Sequence, residues 1–321
     1  MLMNNKVIAV DIGGTYVRVA LCNTDGRVLK RDKQLTRLEK SREGILTHIT
    51  GMIHSVSPSM DEVVGICIGT PGPIDPSTGM LYEAWNIPEL LNTRLRPYFE
   101  SQFNVPIVFS NDSHLAGLGE HHYGAGRGAA NMIYMTVGTG IGGCIIIENK
   151  RLLGAKGLAC EVGEIVFADP TWHKSIEVKS LENLASGPNI AKRAIAALST
   201  SQDSLMRSMV KGNLDNITGE IVMQAAKEGD TVANEILRSA AFYIGLALVN
   251  LIHIFNTELI VLGGGVMKAG DLVLKPIRQT VDKYALPSMR KDVRIVLSEL
   301  GDDAGLLGGV ALLSERIKKK R

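Results

Sequence analysis

The stretch GTGIGG at residues 138–143 follows the apolar run MIYMTV at residues 132–137. Its glycines satisfy the pattern G-x-G-x-x-G, which in dinucleotide-binding proteins joins a strand to a helix. The residues that come next, CIIIENKRLL, are rich in β-branched side chains and contain a turn signal, so they predict another strand instead of that helix. The loop therefore joins strand to strand. Taken alone, it is either a phosphate-binding loop or an ordinary glycine turn.

The opening of the chain has the same organisation. Residues 6–36 predict a strand, a glycine turn at Gly13-Gly14, a second strand, an Asp25-Gly26 turn and a third strand. Residues 132–153 repeat this order, with Gly138 at the point equivalent to Gly13. Two similar halves with helices between them predict a duplicated α/β unit around a cleft.

Hydrophobic periodicity places helices and further strands around these two regions. The predicted helices are 42–56, 88–103, 112–123, 181–198, 217–227, 231–255, 271–284 and 303–319. Further buried strands are expected within 63–75, 105–110, 258–265 and 294–300. We expect a small N-terminal α/β domain of residues 1–118, joined by the C-terminal helix 303–319, and a larger C-terminal α/β domain of residues 119–302.

Composition excludes several classes of protein. The chain has 321 residues, enough for a large buried core, and its length suggests about two domains. A net charge of +2 gives no argument for binding nucleic acid or an anionic membrane. The four cysteines form no C-x-x-C pair and suit reduced core thiols. No secretory signal or apolar run of about 18 residues is evident, so we expect a cytoplasmic protein.

Eight motifs occur in a characteristic order along nearly the whole chain. They are VDIGGT at 10–15, GTPGPID at 69–75, WNIP at 85–88, SNDSHLAGLGE at 110–120, VGTGIGGCI at 137–145, GLACEVGE at 157–164, LENLASG at 181–187 and LGGGV at 262–266. In this order they resemble the ROK family of bacterial sugar kinases and repressors. The resemblance implies the actin-like ATPase (ribonuclease H-like) fold, in which two α/β domains close on a nucleotide and a sugar.

By this resemblance the two glycine hairpins grip the phosphates of ATP. The residues concerned are Asp11, Gly13, Gly14 and Thr15 in the first hairpin and Gly138, Thr139 and Gly140 in the second, while Gly263, Gly264 and Gly265 line the adenosine pocket. Glycines suit this role because backbone N–H groups can converge on phosphate oxygens without interference from a Cβ atom. Asp11 is the candidate ligand for Mg²⁺, directly or through water, and its alternative is a turn-capping residue. No P-loop motif occurs in the sequence.

The resemblance also implies the sugar site. Asp112 matches the base that accepts a proton from the sugar hydroxyl, and Asn111 and Asn86 match residues that bind sugar hydroxyls. Glu161 and Glu182 match sugar-binding glutamates, in keeping with the hydrogen-bonding chemistry of carboxylates. From the residues alone, Asn111-Asp112-Ser113 fits a helix N-cap better than a catalytic site.

One part of the family pattern is missing. Many members carry Gly-His followed by C-x-C-G-x-x-G-C-L-E, which supplies one histidine and three cysteines to a structural zinc. Here Glu164 follows Gly163, and His173, Ser175 and Ser180 stand where the cysteines would be. We therefore expect no structural zinc. Because the missing histidine contacts sugar in relatives, Glu164 leaves the identity of the sugar open and is a candidate to replace that contact.

Three functions compete. The leading hypothesis is an ATP- and Mg²⁺-dependent kinase that phosphorylates a hexose at O6. A sugar-responsive repressor is the second, but the first hairpin begins so near Met1 that we expect no DNA-reading module. A sugar-binding protein without catalysis is the third, and the presence of Asp11, both loops and Asp112 argues against it. Glucose, mannose, N-acetylmannosamine and allose differ too little for the sequence to choose among them. Because relatives are often dimers, the resemblance also implies a homodimer.

Overall fold

The computed structural model describes residues 5–84, 86–168, 178–200 and 203–319. The chain forms two compact units. The first comprises Met1–Ala129, Cys144–Cys160 and Ser298–Arg321, and the second comprises Ala130–Gly143 and Glu161–Leu297. Both units combine strands with helices.

The strands are β1 (Lys6–Ile12), β2 (Tyr16–Asn23), β3 (Val28–Leu35), β4 (Val63–Thr70), β5 (Ile74–Asp75), β6 (Met80–Leu81), β7 (Thr93–Arg94), β8 (Ile107–Asn111), β9 (Met132–Val137), β10 (Ile141–Ile147), β11 (Lys150–Arg151), β12 (Val166–Ala168), β13 (Val178–Ser180), β14 (Leu259–Gly263) and β15 (Arg294–Leu297). The helices are α1 (Arg42–Val56), α2 (Leu95–Gln102), α3 (Asp112–Tyr123), α4 (Leu181–Ala185), α5 (Gly187–Ser199), α6 (Leu205–Met209), α7 (Gly219–Lys227), α8 (Thr231–Phe255), α9 (Asp271–Tyr284), α10 (Pro287–Arg290) and α11 (Ala304–Lys319).

The two main sheets have the same topology. The first has the strand order β3-β2-β1-β4-β8, and the second has the order β11-β10-β9-β14-β15. In each sheet a three-stranded meander contains a glycine loop and is followed by two further strands. These strands are β4 and β8 in the first sheet and β14 and β15 in the second, and each runs parallel to its inner neighbour. The predicted duplication is therefore confirmed at the level of topology.

The first sheet is covered by helices on both faces. On β1, Ile8, Val10 and Ile12 belong to the apolar cluster that contains α1 and α2, whereas Val7 and Ala9 belong to the cluster of α3 and α11. This alternation follows from the two-residue period of a strand, which sends successive side chains to opposite faces. The unit is thus a three-layer α/β structure with its sheet in the centre.

Helix α3 continues beyond the boundary near residue 118 that we expected between the domains. It runs unbroken to Tyr123 and packs along α11 within the first unit. The two backbones approach so closely that a Cβ atom on Gly308 would lie 1.7 Å from the Leu115 carbonyl oxygen. A division inside α3 would therefore split a packed pair of helices.

The second unit is mainly helical. In its sheet β9, β14 and β15 are parallel, and Leu259 is paired with both Met132 and Arg294. Helix α8 supplies much of the core and ends at Asn256, which adopts a left-handed conformation with φ of 48°. Its length and apolar composition would also suit a membrane-crossing helix, but 61% of its most apolar window is buried inside the protein, as in a core helix.

Two predicted helices are shorter or divided. The helix expected over 88–103 begins only at Leu95, because Thr93 and Arg94 pair with β6 and Asn92 has a φ of 50°. The helix expected over 181–198 is split into α4 and α5 at Ser186, which has an extended backbone. The helices expected over 42–56, 231–255 and 271–284 have the predicted bounds.

Candidate functional site

The first glycine loop, Gly13–Thr15, joins β1 to β2. The Gly13 amide donates a hydrogen bond of 2.9 Å to the Tyr16 carbonyl, which closes the turn. The Thr36 hydroxyl donates to the Gly13 carbonyl, and the Thr36 amide donates to the Thr15 carbonyl over 3.0 Å. Thr36 is fully buried next to the end of β3. Its two hydrogen bonds hold both ends of the loop in place.

Asp11 lies beside this loop, opposite Arg18 in the β1–β2 register. Arg18 Nη1 donates to Asp11 Oδ2 over 3.2 Å, and Arg18 Nη2 donates to the carboxylate of the exposed Asp302 over 3.2 Å. Burial raises the pKa of Asp11 above its usual 3.8, and the positive charge of Arg18 opposes that shift. The loop therefore carries a carboxylate whose ionised form is disfavoured by burial and only partly stabilised by its partner.

The polar residues of the first unit follow the carboxyl ends of three neighbouring parallel strands. Asp11 on β1 is paired with Gly69 on β4, and Thr70 of β4 is paired with Asn111 at the end of β8. Ligands of open α/β sheets bind at this edge. The strand order thus brings Asp11, Asn111 and Asp112 to the same edge of one sheet.

Asn111 and Asp112 stand at the start of α3, and the structure separates their roles. Asn111 is the N-cap, and its Oδ1 accepts from the amides of Ser113 at 2.9 Å and His114 at 3.2 Å. Its Nδ2 donates to the Gly72 carbonyl over 3.2 Å. Asp112 is the first helical residue, and its Oδ1 accepts from the amide and the hydroxyl of Ser113. The capping role that the sequence left open is therefore filled by Asn111.

Asn86 lies against the first glycine loop. It is exposed in a turn that precedes the 3-10 turn Pro88–Leu90. A Cβ atom on Gly14 would be 2.7 Å from the Asn86 Cβ, so only a glycine permits this approach. Asn86 and the first loop are thus neighbours within the first unit.

The second glycine loop, Gly138–Gly140, joins β9 to β10 in the second unit. The Gly138 amide donates to the Gly140 carbonyl over 2.9 Å. The Gly138 carbonyl accepts from the amide of Gly187, the first residue of α5, over 2.8 Å. Thr139 is exposed between the two glycines. The loop is therefore held by backbone groups, and its tip presents little besides backbone.

A second glycine segment supports the same loop. Gly264 has a φ of +92°, and a Cβ atom there would lie 2.3 Å from the carbonyl oxygen of Val137, the residue before the loop. Gly265 has open space around the position of a Cβ atom. The segment Gly263–Gly265 thus packs on the loop through Gly264 and is open beside Gly265, which fits its interpretation as part of a nucleotide pocket.

Glu182 fastens the exit of the second loop. It lies in the first turn of α4, and its Oε2 accepts from the Ile141 amide over 2.8 Å. A Cβ atom on Gly140 would be 2.7 Å from the same oxygen. The predicted sugar-binding residue is therefore also a structural partner of the loop.

Glu161 and Glu164 lie close to the same end of β10. Both are exposed; Glu161 precedes the 3-10 turn Val162–Glu164, and Glu164 is the last residue of that turn. Gly163 inside this turn packs on β10, where a Cβ atom would be 2.2 Å from the Ile141 carbonyl oxygen. The second unit therefore brings Glu161, Glu164 and Glu182 together around Ile141.

His114 anchors the segment that leads to Glu161. Its Nε2 lies 2.9 Å from the Ala159 carbonyl oxygen, and burial lowers the pKa of His114 to about 4. The ring is therefore neutral at neutral pH and donates from Nε2 to this carbonyl. The residue after Ala159, Cys160, has a φ of 72°, which is unusual for a residue other than glycine.

Three positions stand where the family's zinc-binding cysteines would be, and the structure describes one of them, Ser180. His173 and Ser175 lie outside the described residues. Ser180 is the N-cap of α4, and its hydroxyl accepts from the Asn183 amide over 3.3 Å. Within the described residues, no group of three or more His, Cys, Asp or Glu side chains is placed to hold a metal ion. Cys22, Cys67 and Cys144 are buried, and burial raises the pKa of each thiol to about 12.

Sequence reasoning missed several residues that position these groups. Arg18 was detectable, because a three-residue turn between β1 and β2 places it opposite Asp11. Gly187 falls inside the motif LENLASG, but its bond to Gly138 depends on a tertiary contact. Thr36 and His114 gave no local signal, since each acts on a distant part of the chain.

Comparison with known proteins agrees with this geometry. A sequence model of the ROK family matches residues 7–316. Glucokinase of Halalkalibacterium halodurans is 34% identical over 317 residues, which cover 96% of this chain and 95% of the relative. The xylose repressor of Caldicellulosiruptor bescii is 30% identical over 96% of this chain and 78% of its own length.

A solved structure extends the comparison to the fold. The ROK family glucokinase from Streptomyces griseus, in complex with glucose and AMPPNP, superposes with a TM-score of 0.82 at 31% identity, over 96% of this chain and 99% of that one. The chain has the actin-like ATPase fold of the ROK sugar kinases. With a family match over almost its full length and relatives above 30% identity that it covers nearly end to end, this chain belongs to the ROK family.

Proposed function

We propose that this protein is an ATP-dependent sugar kinase that phosphorylates a hexose or hexose derivative at O6, with Asp112 as the base. The observation that carries this proposal is the division of roles at the start of α3. Asn111 caps the helix, so the Asp112 carboxylate is not needed as the cap. A carboxylate at a helix N-terminus is stabilised in its charged form by the helix dipole, and only the charged form accepts a proton.

In the proposed reaction the sugar hydroxyl oxygen bonds to the γ-phosphorus of ATP while the bond from that phosphorus to the bridging oxygen breaks. Asp112 takes the hydroxyl proton, and ADP leaves with the bridging oxygen. Asn86 and Asn111 hydrogen-bond the sugar, and Glu161, Glu164 and Glu182 accept from its hydroxyl groups. Phosphoryl transfer depends mainly on positioning the reactants and neutralising charge. The reaction therefore asks nothing more of the protein than these roles.

Each glycine loop is a candidate to bind the phosphates of ATP. Gly14 and Gly264 pack so closely on Asn86 and Val137 that neither position has room for a Cβ atom, and in this way both loops keep their glycine-rich backbone. Asp11 is the residue that would hold Mg²⁺, and its exposed fraction of 16% leaves the carboxylate reachable. Mg²⁺, when bound, neutralises charge on the phosphates. Arg18 fixes the orientation of the Asp11 carboxyl group beside the loop.

A sugar-binding regulator of the same family is the second candidate. Similarity to a xylose repressor favours it, as does Glu164 at the position where many family members have histidine. A homodimer remains a prediction from the family resemblance, and a cytoplasmic location remains a prediction from the sequence.

A coupled assay of ADP release from ATP with Mg²⁺, run against hexoses and N-acyl hexosamines, tests the proposal. Asp112→Asn should lower kcat by about 10²–10⁴-fold for the preferred sugar, because proton transfer to a positioned base contributes about this factor. Asp61→Asn, an exposed aspartate in the same unit, is the matched control and should retain activity. Sugar binding without turnover would favour the regulator, and full activity of Asp112→Asn would refute the assignment of the base.

A further inference from the structure

The position of Asn86 depends on the segment that carries it. Asn86 is exposed, and its side chain forms no hydrogen bond within the described residues. Its Cβ packs on Gly14, where an added Cβ atom would lie 2.7 Å away. Ile87 and Leu90 are fully buried in the apolar cluster that contains α1. Apolar contacts are not directional, so they fix the depth of the segment better than its orientation.

Glu89 supplies a directional contact in the same segment. Its Oε1 accepts from Arg37 Nη2 in an ion pair. The Glu89 side chain is 15% exposed, so the carboxylate end of the pair is largely shielded from water. The backbone amide of Glu89 itself and the Arg37 guanidinium hold the pKa of this carboxyl below its usual range. Glu89 is therefore ionised at neutral pH.

Arg42, the first residue of α1, also holds this turn. Its Nε donates to the Glu89 carbonyl and its Nη2 donates to the Leu91 carbonyl, each over 3.4 Å. Both hydrogen bonds are long, so they are weaker than a charge-assisted bond at normal distance. The ion pair with Arg37 is thus the main polar contact of the turn.

Arg37 connects this turn to the first glycine loop. It follows Thr36, whose two hydrogen bonds hold both ends of the loop. The contacts therefore form a ring that lies wholly in the first unit. The ring runs from the loop through Thr36 and Arg37 to Glu89, and it returns through Asn86, which packs on Gly14. Without the ion pair the ring is open.

We infer that Glu89 is a positioning residue for sugar binding, which acts through Arg37 to hold Asn86 at the first glycine loop. A displacement of about 1 Å is enough to weaken a positioned contact strongly. This role rests on the proposed function, because it takes Asn86 as a residue that binds sugar.

Calorimetric titration of the full chain with glucose, mannose, allose and N-acetylmannosamine tests this role without depending on turnover. For the sugar that binds most tightly, Glu89→Ala should raise the dissociation constant at least about threefold, because Asn86 is no longer held in place. Arg37→Ala removes the other partner of the ion pair and should give the same rise. Glu89→Gln keeps an oxygen that can accept from Arg37 and should recover part of the affinity.

Glu100→Ala is the matched control. Glu100 also pairs with an arginine of the first unit, Arg96, over 2.8 Å, but this pair lies within α2. The control variant should bind sugar as the unchanged protein does.

ATP binding separates positioning from a general disturbance of the first unit. In Glu89→Ala the dissociation constant of ATP should change by less than about twofold, because Thr36 still holds the loop. With Asn86→Ala already in place, Glu89→Ala should weaken sugar binding by less than about twofold, since the group that it positions is gone. The ATP comparison decides by itself if Asn86→Ala abolishes sugar binding.

Three results would overturn the inference. They are unchanged sugar affinity in Glu89→Ala and Arg37→Ala, equal losses for sugar and ATP, and the absence of binding of all four sugars at millimolar concentration. A protein that binds sugar in the expected way but shows no turnover would refute only the proposed reaction, so the two failures are separable.

Discussion

The loop at Gly13–Thr15 and the loop at Gly138–Gly140 occupy equivalent places in sheets of the same topology, but they are held by different groups. Side chains dominate at the first loop, where Thr36 binds the backbone and Arg18 binds Asp11. At the second loop, Gly187 provides a backbone donor and Gly264 packs directly on the chain. Glu182 is the one side chain that we find bonded there within the described residues.

The first loop thus differs from the second in a buried charge, and the second differs from the first in close backbone packing. The first loop carries a carboxylate that is costly to bury, as candidate functional groups often are. The second loop has close backbone contacts that only glycine allows. Substitutions at the second loop should therefore act mainly on stability, and substitutions at the first should act mainly on charge and its dependence on pH.

Gly264→Ala should give the largest effect. The new Cβ atom would lie 2.3 Å from the Val137 carbonyl oxygen, on a residue with a φ of +92°. Backbone cannot yield as a flexible side chain does, so we expect a loss of about 4 kcal/mol in the free energy of unfolding. Chemical denaturation monitored by circular dichroism measures it.

Gly265→Ala is the control for this substitution. It adds the same methyl group one residue later, where no heavy atom lies within 4 Å. Its free energy of unfolding should change by less than about 1 kcal/mol. Equal losses in the two variants would show that the glycine segment does not support the second loop through Gly264.

Glu182→Ala should have an intermediate effect. It removes the acceptor of the Ile141 amide, and an unsatisfied buried N–H group costs about 1–3 kcal/mol. Glu182→Gln keeps an acceptor oxygen and should recover most of the lost free energy of unfolding. If both variants are equally unstable, the carboxylate charge matters more than the hydrogen bond, and the second loop resembles the first more than we argue.

Much of the fold was accessible from the sequence because it depends on local patterns. The glycine turns lie between alternating apolar residues, and α1, α8 and α9 follow a clear helical period. The break between α4 and α5 was not accessible. It occurs where the Gly187 amide leaves the helical pattern to bind the Gly138 carbonyl. A contact between residues far apart in sequence leaves no periodic signal.

The candidate site shows the same limit. Asp11, Asn111 and Asp112 were named from motifs, and strand order then explains why they share one edge of a sheet. From the motifs alone, Asn111 and Asp112 could have served either the site or the helix N-cap. Their side-chain hydrogen bonds were needed to tell the two roles apart. Sequence patterns identify the residue types at a site, whereas the role of each neighbouring residue depends on atomic positions.

The smallest effect is expected at Asp11, and its sign is informative. Burial raises the pKa of Asp11 above 3.8, so the folded protein holds this proton more tightly than the unfolded chain does. The resulting stabilisation is complete below pH 3.8 and is lost as the pH rises through the raised pKa. Relative to Asp11→Asn, the unchanged protein should therefore lose stability as the pH rises above 3.8 and through the raised pKa of Asp11. Urea denaturation at a series of pH values measures this difference, with Asp61→Asn, which changes an exposed aspartate of the same unit, as the control. A gain in relative stability over the same range would mean that the ion pair with Arg18 outweighs burial. The first loop would then be held by its charge, and the contrast with the second loop would lie only in which groups hold the chain.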